Sequence, residues 1–293
     1  MISELTQAFT HLDNVLTEEF SSTFTTSVKN IVLKRLESMT EKDLKDIDKD
    51  EIGSLIASLK EFLLLSCSRL EAAEFVEHTS LLMALRFLKS ENLEKRLKGL
   101  SEIRTMVERV IERSRFERWR QKTNKSLSHW NSMPENKDKP YPSDAIKLAE
   151  LKQWLISNKV LQIILGPNAH VEIVKRSGPI LKLLCRYGEN LFDESIIELI
   201  WRCQLDKHEE MVRTIYNLIQ EVLPILSLPI IDSFFLKMKS MPPAQIDEKY
   251  VVFVREFTKQ ALKKRLEFSF EEYSLRADQS TQDVQLQFYI NVR

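Results

Sequence analysis

Hydrophobic residues recur every three or four positions along most of the chain, which is the spacing of one face of an α-helix. A stretch before the middle of the chain shows this spacing without a break; its apolar positions are Leu93, Leu97, Leu100, Ile103, Val107 and Val110. Patterns in which apolar and polar residues alternate, as in a half-buried strand, are scarce before residue 265. The pattern therefore predicts an all-α protein.

Between residues 143 and 265 short turns interrupt the helical pattern at regular intervals. We predict six helices of roughly 12 to 22 residues there, joined by turns of about two to six residues. This spacing suits about three stacked helix pairs of about 40 residues each, as in armadillo or HEAT arrays. The predicted architecture is therefore an armadillo/HEAT-like α-solenoid, with an irregular helical bundle as the alternative, because no clean repeat consensus is visible.

Two helices within this region carry specific expectations. An apolar stripe from Val171 to Cys185 continues through Gly178 and Pro179, and we interpret it as one helix with a kink. The last helix of the region is expected to bury four residues, which are Ile246, Tyr250, Phe253 and Phe257.

Changes in composition divide the chain into four regions. Residues 1–121 form an N-terminal helical region, and residues 122–142, which are polar and contain three prolines, form a linker or long loop. The helical-repeat region spans 143–265. Residues 266–293 lose the helical pattern, and we expect a poorly ordered tail there.

Composition and charge restrict the function classes. With 43% hydrophobic and 29% charged residues, the chain of 293 residues has the composition of a folded protein. The 43 cations balance the 43 carboxylates, so no global field favours nucleic acid or an anionic membrane. No apolar run approaches the ~18–20 residues of a membrane helix. Three widely spaced cysteines indicate reduced thiols, and we expect a cytoplasmic location, with the nucleus also open.

Residues 203–210 concentrate the side chains of cysteine hydrolases and metal sites: one cysteine, one aspartate, one histidine and two glutamates. Cys203 and His208 are five positions apart, about 140° around a helix, so one continuous helix would not present both to a substrate. Asp206 followed by Glu209 fits a helix N-cap with its acid at N3. C-x-x-C and H-x₃-H spacings are absent. We interpret the stretch as a junction between two helices and expect no catalytic residue, metal or cofactor.

A basic and aromatic stretch, residues 109–122, raises a separate possibility of single-stranded nucleic-acid binding. Glu108, Glu112 and Glu117 offset much of its charge, and cations near the C-terminus of a helix are favoured by the helix dipole. Nucleic-acid binding is therefore an alternative that we do not favour.

Three segments together resemble a known family. They are "EKRLKGLSEI" (94–103), "GPNAHVEIVKRSGPILKLL" (166–184) and "IIELIWRCQLDKHEEMVRTIYNLI" (196–219). They resemble the non-catalytic helical region of the giant ubiquitin-specific proteases, the ubiquitin carboxyl-terminal hydrolases of the fat-facets type. The likeness covers roughly residues 85–240. In that family a long helical array precedes a papain-like catalytic domain.

The resemblance implies a helical scaffold for a deubiquitinating enzyme, which would bind ubiquitinated substrates or other proteins of the ubiquitin pathway. The family's catalytic cysteine lies in a box similar to G-N-T-C-Y, and its histidine in a Gly-rich strand. None of the three cysteines or five histidines of this chain has such a setting, so no catalytic residue is carried over and the chain is expected to be inactive alone. Lys207, His208 and Arg213 are the candidates for an interaction surface. The alternative is a free-standing armadillo-like adaptor unrelated to ubiquitin.

Overall fold

The computed structural model describes residues 18–47, 49–126, 146–186, 191–205 and 207–279. Every regular element within these ranges is a helix, which confirms the prediction of an all-α protein. Within the same ranges, no helix combines the length and the apolar character that crossing a membrane requires.

The chain divides into two compact units, Met1–Gly188 and Glu189–Arg293. The helices described in the first unit are α1 (Glu18–Ser38), α2 (Glu41–Asp46), α3 (Lys49–Leu64), α4 (Arg69–Lys89), α5 (Leu93–Ser126), α6 (Leu148–Ser157), α7 (Val160–Leu165), α8 (Val171–Val174) and α9 (Gly178–Cys185). Those of the second unit are α10 (Glu194–Arg202), α11 (Glu209–Val222), α12 (Leu228–Lys239) and α13 (Glu248–Gln279), with short 3₁₀ turns at Leu223–Ile225 and Pro243–Gln245. The boundary between the units lies after α9. Residues 122–142, which we predicted to be a linker or long loop, therefore have helices of the first unit on both sides.

The first unit is organised around α5, which packs against α4, α6, α8 and α9. The buried face of α5 follows the predicted stripe, since Leu100, Ile103, Val107 and Val110 are at most 2% exposed. Three residues separate α5 from α4, and Asn92 caps the start of α5 by accepting hydrogen bonds from two backbone amides of its first turn. The two helices therefore form an antiparallel hairpin.

The backbones of α4 and α5 come unusually close at Gly99. A Cβ atom at that position would lie 2.9 Å from Phe87 Cβ and still closer to the carbonyl oxygen of Ala84 and the amide nitrogen of Leu88. Backbone atoms cannot move aside as the end of a flexible side chain can. Glycine is required at position 99 by the packing of the neighbouring helix.

Farther along the hairpin, a buried ion pair joins α4 to α5. Arg113 Nη2 lies 3.4 Å from Glu77 Oε1, and the two side chains are 18% and 11% exposed. The same carboxylate accepts a hydrogen bond of 2.9 Å from the backbone amide of Ile146, two residues before α6. Glu77 therefore ties together three segments, one of which is distant in sequence.

Aromatic packing organises the second unit. Tyr216 of α11 stacks on Phe253 of α13 with ring centroids 4.2 Å apart, and Phe235 of α12 meets the Phe257 ring edge-on at 5.2 Å. Tyr250, Phe253 and Phe257 are buried as predicted. The prediction for Ile246 is wrong, because this residue is 47% exposed and precedes the start of α13.

The interpretation of residues 171–185 as one kinked helix is also wrong. The structure has two helices, α8 and α9, separated by residues 175–177. Pro179 has no amide hydrogen and its ring clashes with a carbonyl four residues earlier, so a helix cannot continue through it without distortion. The chain instead restarts at Ser177, whose carbonyl oxygen accepts hydrogen bonds from Ile180 and Leu181.

Other helix boundaries differ from the expected ones as well. The described part of residues 143–265 contains eight α-helices rather than six, because α7 was not predicted and the 171–185 stripe is divided. Helix α5 extends to Ser126, into the predicted linker, and the rest of that linker lies outside the described residues. Helix α13 continues to Gln279, well beyond residue 265.

Replacing Gly99 with alanine should destabilise the protein, although alanine is the better helix former by about 1 kcal/mol. The added methyl group would collide with the α4 backbone, and such overpacking costs about 1–3 kcal/mol. Gly53→Ala in α3 is the matched control, since a Cβ there meets nothing within 4 Å and should stabilise the protein slightly. Urea unfolding followed by far-UV circular dichroism measures both; equal shifts in the same direction would contradict the packing argument.

Glu77→Gln should lower the free energy of unfolding by about 2 kcal/mol, somewhat less than the ~3–5 kcal/mol of a fully buried pair, because Arg113 would be left without its counterion. The double variant Glu77→Gln/Arg113→Met should be less damaging than Glu77→Gln alone. Glu108→Gln is the control, since Glu108 pairs with Arg104 at the surface and is 54% exposed. Similar losses at Glu77 and Glu108 in the same unfolding assay would argue against a buried pair.

Candidate interaction surface

The cysteine of the 203–210 stretch closes helix α10. Cys203 is the C-cap residue, is 3% exposed, and donates its backbone amide to the carbonyl oxygen of Leu199 at 3.1 Å. Burial raises the pKa of the Cys203 thiol, and the nearby Lys207 ammonium offsets this only in part. A nucleophilic cysteine requires the opposite, a thiolate stabilised by its surroundings. Cys203 therefore behaves as a small core residue.

The histidine of the same stretch opens helix α11. His208 is the N-cap, and its Nδ1 accepts a hydrogen bond of 3.4 Å from the backbone amide of Met211. This corrects the prediction of Asp206 as N-cap, and Asp206 itself lies outside the described residues. The imidazole is thus occupied by its own helix. The interpretation of the stretch as a junction between two helices is confirmed.

The three predicted surface residues are all exposed around this junction. Lys207 and His208 precede α11, and Arg213 lies in its second turn, close enough to Glu209 to lower the pKa of that carboxyl. The larger cause of that lowered pKa is Lys249 at the start of α13, whose Nζ lies 2.8 Å from Glu209 Oε1. Sequence reasoning missed this pair, because only the fold brings α13 to the first turn of α11. Nothing in the structure tests whether these three residues bind a partner, so their binding role stays a prediction.

The structure also bears on the other candidate chemistries. Among the described residues, no three His, Cys, Asp or Glu side chains are grouped closely enough to hold a metal ion.

In the basic stretch, Phe116 and Trp119 are exposed with ring centroids 5.8 Å apart, as the nucleic-acid hypothesis would require. Arg113, however, is paired with Glu77 and cannot serve a phosphate at the same time.

Comparison with known proteins identifies relatives of one kind. The family model described as UBP24/USP9X/USP9Y ARM repeat matches residues 74–265. The probable ubiquitin carboxyl-terminal hydrolase FAF of Drosophila melanogaster is 25% identical over 199 residues, which are 66% of this chain and 7% of that protein. Human ubiquitin carboxyl-terminal hydrolase 34 is 32% identical over 129 residues, 44% of this chain and 3% of that protein.

A third relative, human ubiquitin carboxyl-terminal hydrolase 9Y, is 22% identical over 228 residues, which are 76% of this chain and 8% of that protein. The chain thus spans less than a tenth of the length of these relatives. No solved structure matches the chain.

The family match includes all three segments on which the sequence resemblance rests, residues 94–103, 166–184 and 196–219. It also confirms the prediction of a helical-repeat array, which the helices of the described residues bear out. Each relative is matched over only a small part of its length, which is consistent with a non-catalytic segment. The chain belongs to the UBP24/USP9X/USP9Y armadillo-repeat family.

Proposed function

We propose that this chain is a scaffold segment that binds proteins of the ubiquitin pathway, or ubiquitinated substrates, for a deubiquitinating activity of its family. The observation that carries the proposal is the armadillo-repeat match over residues 74–265, together with relatives whose names are those of ubiquitin carboxyl-terminal hydrolases. Armadillo arrays stack helix pairs over a continuous core and offer extended surfaces for binding proteins.

The N-terminal end of α11, from Lys207 to Arg213, is the part of this surface that we assign to partner binding. Lys207, His208 and Arg213 are exposed there beside the Glu209–Lys249 ion pair, which provides both signs of charge. The turn is held by its own backbone, since Lys207 donates to the carbonyl of Gln204 and Val212 to that of His208. A surface that is ordered before binding loses less conformational entropy when a partner arrives.

A cytoplasmic location fits this role, and we propose it together with the function.

The second candidate function is that of an armadillo-like adaptor that has no connection with ubiquitin. Both functions use a helical surface and no reactive centre, so the identity of the bound proteins is what separates them.

The chain alone should release no fluorophore from a ubiquitin–fluorophore conjugate, because its Cys203 thiol is buried and has a raised pKa. The assay compares the full chain, its Cys203→Ala variant and a ubiquitin-specific protease catalytic domain as positive control. Wild type and variant should match the buffer blank while the catalytic domain releases the fluorophore. Turnover that disappears in Cys203→Ala would overturn the scaffold proposal.

Affinity capture from cell extract on the immobilised chain should enrich ubiquitin-pathway proteins, and Lys207→Glu/Arg213→Glu should reduce their recovery about fivefold. That factor corresponds to ~1 kcal/mol, a reasonable cost for reversing charges at the rim of an interface. Lys34→Glu/Lys60→Glu is the control, because both lysines are exposed on α1 and α3, which belong to the first unit. Specific capture without ubiquitin-pathway proteins would favour the adaptor, and equal losses in both variants would remove the junction as the site.

A further inference from the structure

Helix α13 has a second face that the packing of the unit does not use. Its buried residues Tyr250, Phe253, Phe257 and Ala261 face α11 and α12. On the opposite side, Val251, Leu262 and Leu266 are 56%, 55% and 71% exposed. At 100° per residue these three lie within about 60° of one another around the helix. We call this face, with the residues between them, the outer strip of α13: Val251, Arg255, Lys259, Leu262 and Leu266.

The apolar residues of the outer strip share one face of one helix. The strip runs along about 22 Å, since Leu266 lies 15 positions after Val251. The neighbouring helix adds Leu236, which is 67% exposed, and the contact between Asp232 of α12 and Arg265 of α13 places the two helices side by side there. Large exposed apolar side chains gathered on one face are a feature of binding sites on folded proteins.

The polar positions within the outer strip are both cations. Arg255 and Lys259 have side chains that are 63% and 65% exposed, and both are bonded to Glu256, which is on the flank of the strip. Over residues 248–267 six cations face three carboxylates, and two of these cations pair with carboxylates of α11 and α12, which leaves a surplus of one positive charge. A partner that carries carboxylates beside its apolar residues would be attracted to this surface, and one that carries cations would be repelled.

The same charges bear on a second copy of the chain as occupant. A copy packed antiparallel about residue 257 would place Arg255 of one chain against Lys259 of the other, and like charges in contact oppose association. Along the strip Arg255, Lys259, Leu262 and Leu266 are spaced four, three and four, which is the spacing of a seam between two helices.

We propose that the outer strip of α13 docks an amphipathic helix of a partner protein, in which aspartate and glutamate border the apolar stripe. The site goes beyond the proposed function, because it neither uses the junction residues Lys207, His208 and Arg213 nor depends on the ubiquitin pathway.

The test uses two synthetic helical peptides with the same leucine stripe, one bordered by glutamates and the other by lysines. Fluorescence anisotropy with the full chain should show the acidic peptide binding at least tenfold more tightly than the basic one. Raising the salt concentration should reduce this preference, because exposed charges are screened.

Substitutions identify the strip as the site. Leu262→Gln/Leu266→Gln should weaken binding of the acidic peptide about tenfold, whereas Ile31→Gln, at a 59% exposed position of α1, should leave it unchanged. Arg255→Glu/Lys259→Glu should invert the preference, so that the basic peptide now binds more tightly. All these side chains are exposed, and circular dichroism checks that each variant keeps its helical content.

The proposal fails if both peptides bind equally, or if the Leu262 and Leu266 substitutions have no more effect than Ile31→Gln. It also fails if sedimentation shows a dimer that Leu262→Gln/Leu266→Gln dissolves, since a second copy would then be the occupant. Binding of the chain to anionic vesicles that requires Leu262 and Leu266 would equally overturn it. Lys207→Glu/Arg213→Glu should not change peptide binding, which keeps this test separate from that of the proposed function.

Discussion

The close packing of α4 on α5 is the constraint on which the first unit depends. Neither helix can bury its apolar face alone, and the two backbones approach so closely at Gly99 that no side chain fits between them. Farther along the hairpin the Glu77 carboxylate holds both Arg113 and the Ile146 amide. The contact at Gly99 fixes the distance between α4 and α5. The hydrogen bond from Ile146 to Glu77 holds the chain beside these two helices after residues 127–145. Helices α6, α8 and α9 then pack on a surface of α5 whose position is already set.

In the second unit, packed aromatic rings fix the helices against one another, as the Gly99 contact and the Glu77 ion pair do in the first unit. Burial within the ring cluster raises the pKa of Tyr216 to about 12, with Asp247 and Tyr250 contributing, because a phenolate there would lose its contact with water. Tyr250 donates its hydroxyl hydrogen to the carbonyl oxygen of Met238 in the last turn of α12. The stacked ring of Tyr216 and the hydrogen bond of Tyr250 attach α11 and α12 to the same side of α13. The opposite side of α13 is left without a helix among the described residues.

Periodic apolar positions predicted the helices well where one helix packs along its whole length. The buried faces of α5 and α13 are examples, because each stripe reports a long, uninterrupted contact. The same signal failed at Pro179, where the helix must end because of the proline. The apolar residues keep their spacing across the turn at 175–177, so the pattern gives no sign of two separate helices. It failed at Ile246 because a stripe does not say where the first turn of a helix begins. The roles of Glu77 and Lys249 depend on residues distant in sequence, and no local pattern contains that information.

The junction at residues 203–208 shows why residue types alone overstate chemistry. A cysteine, a histidine and several carboxylates lie within a few positions, yet the cysteine, the histidine and one of the carboxylates each have a structural use. Cys203 ends one helix inside the core, His208 caps the next through its Nδ1, and Glu209 pairs with Lys249. A reactive thiol would need a neighbouring base, and the imidazole is instead engaged by the Met211 amide. What the junction presents outward is charge, through Lys207 and Arg213, and this exposed charge is the basis of the binding role that we propose for it.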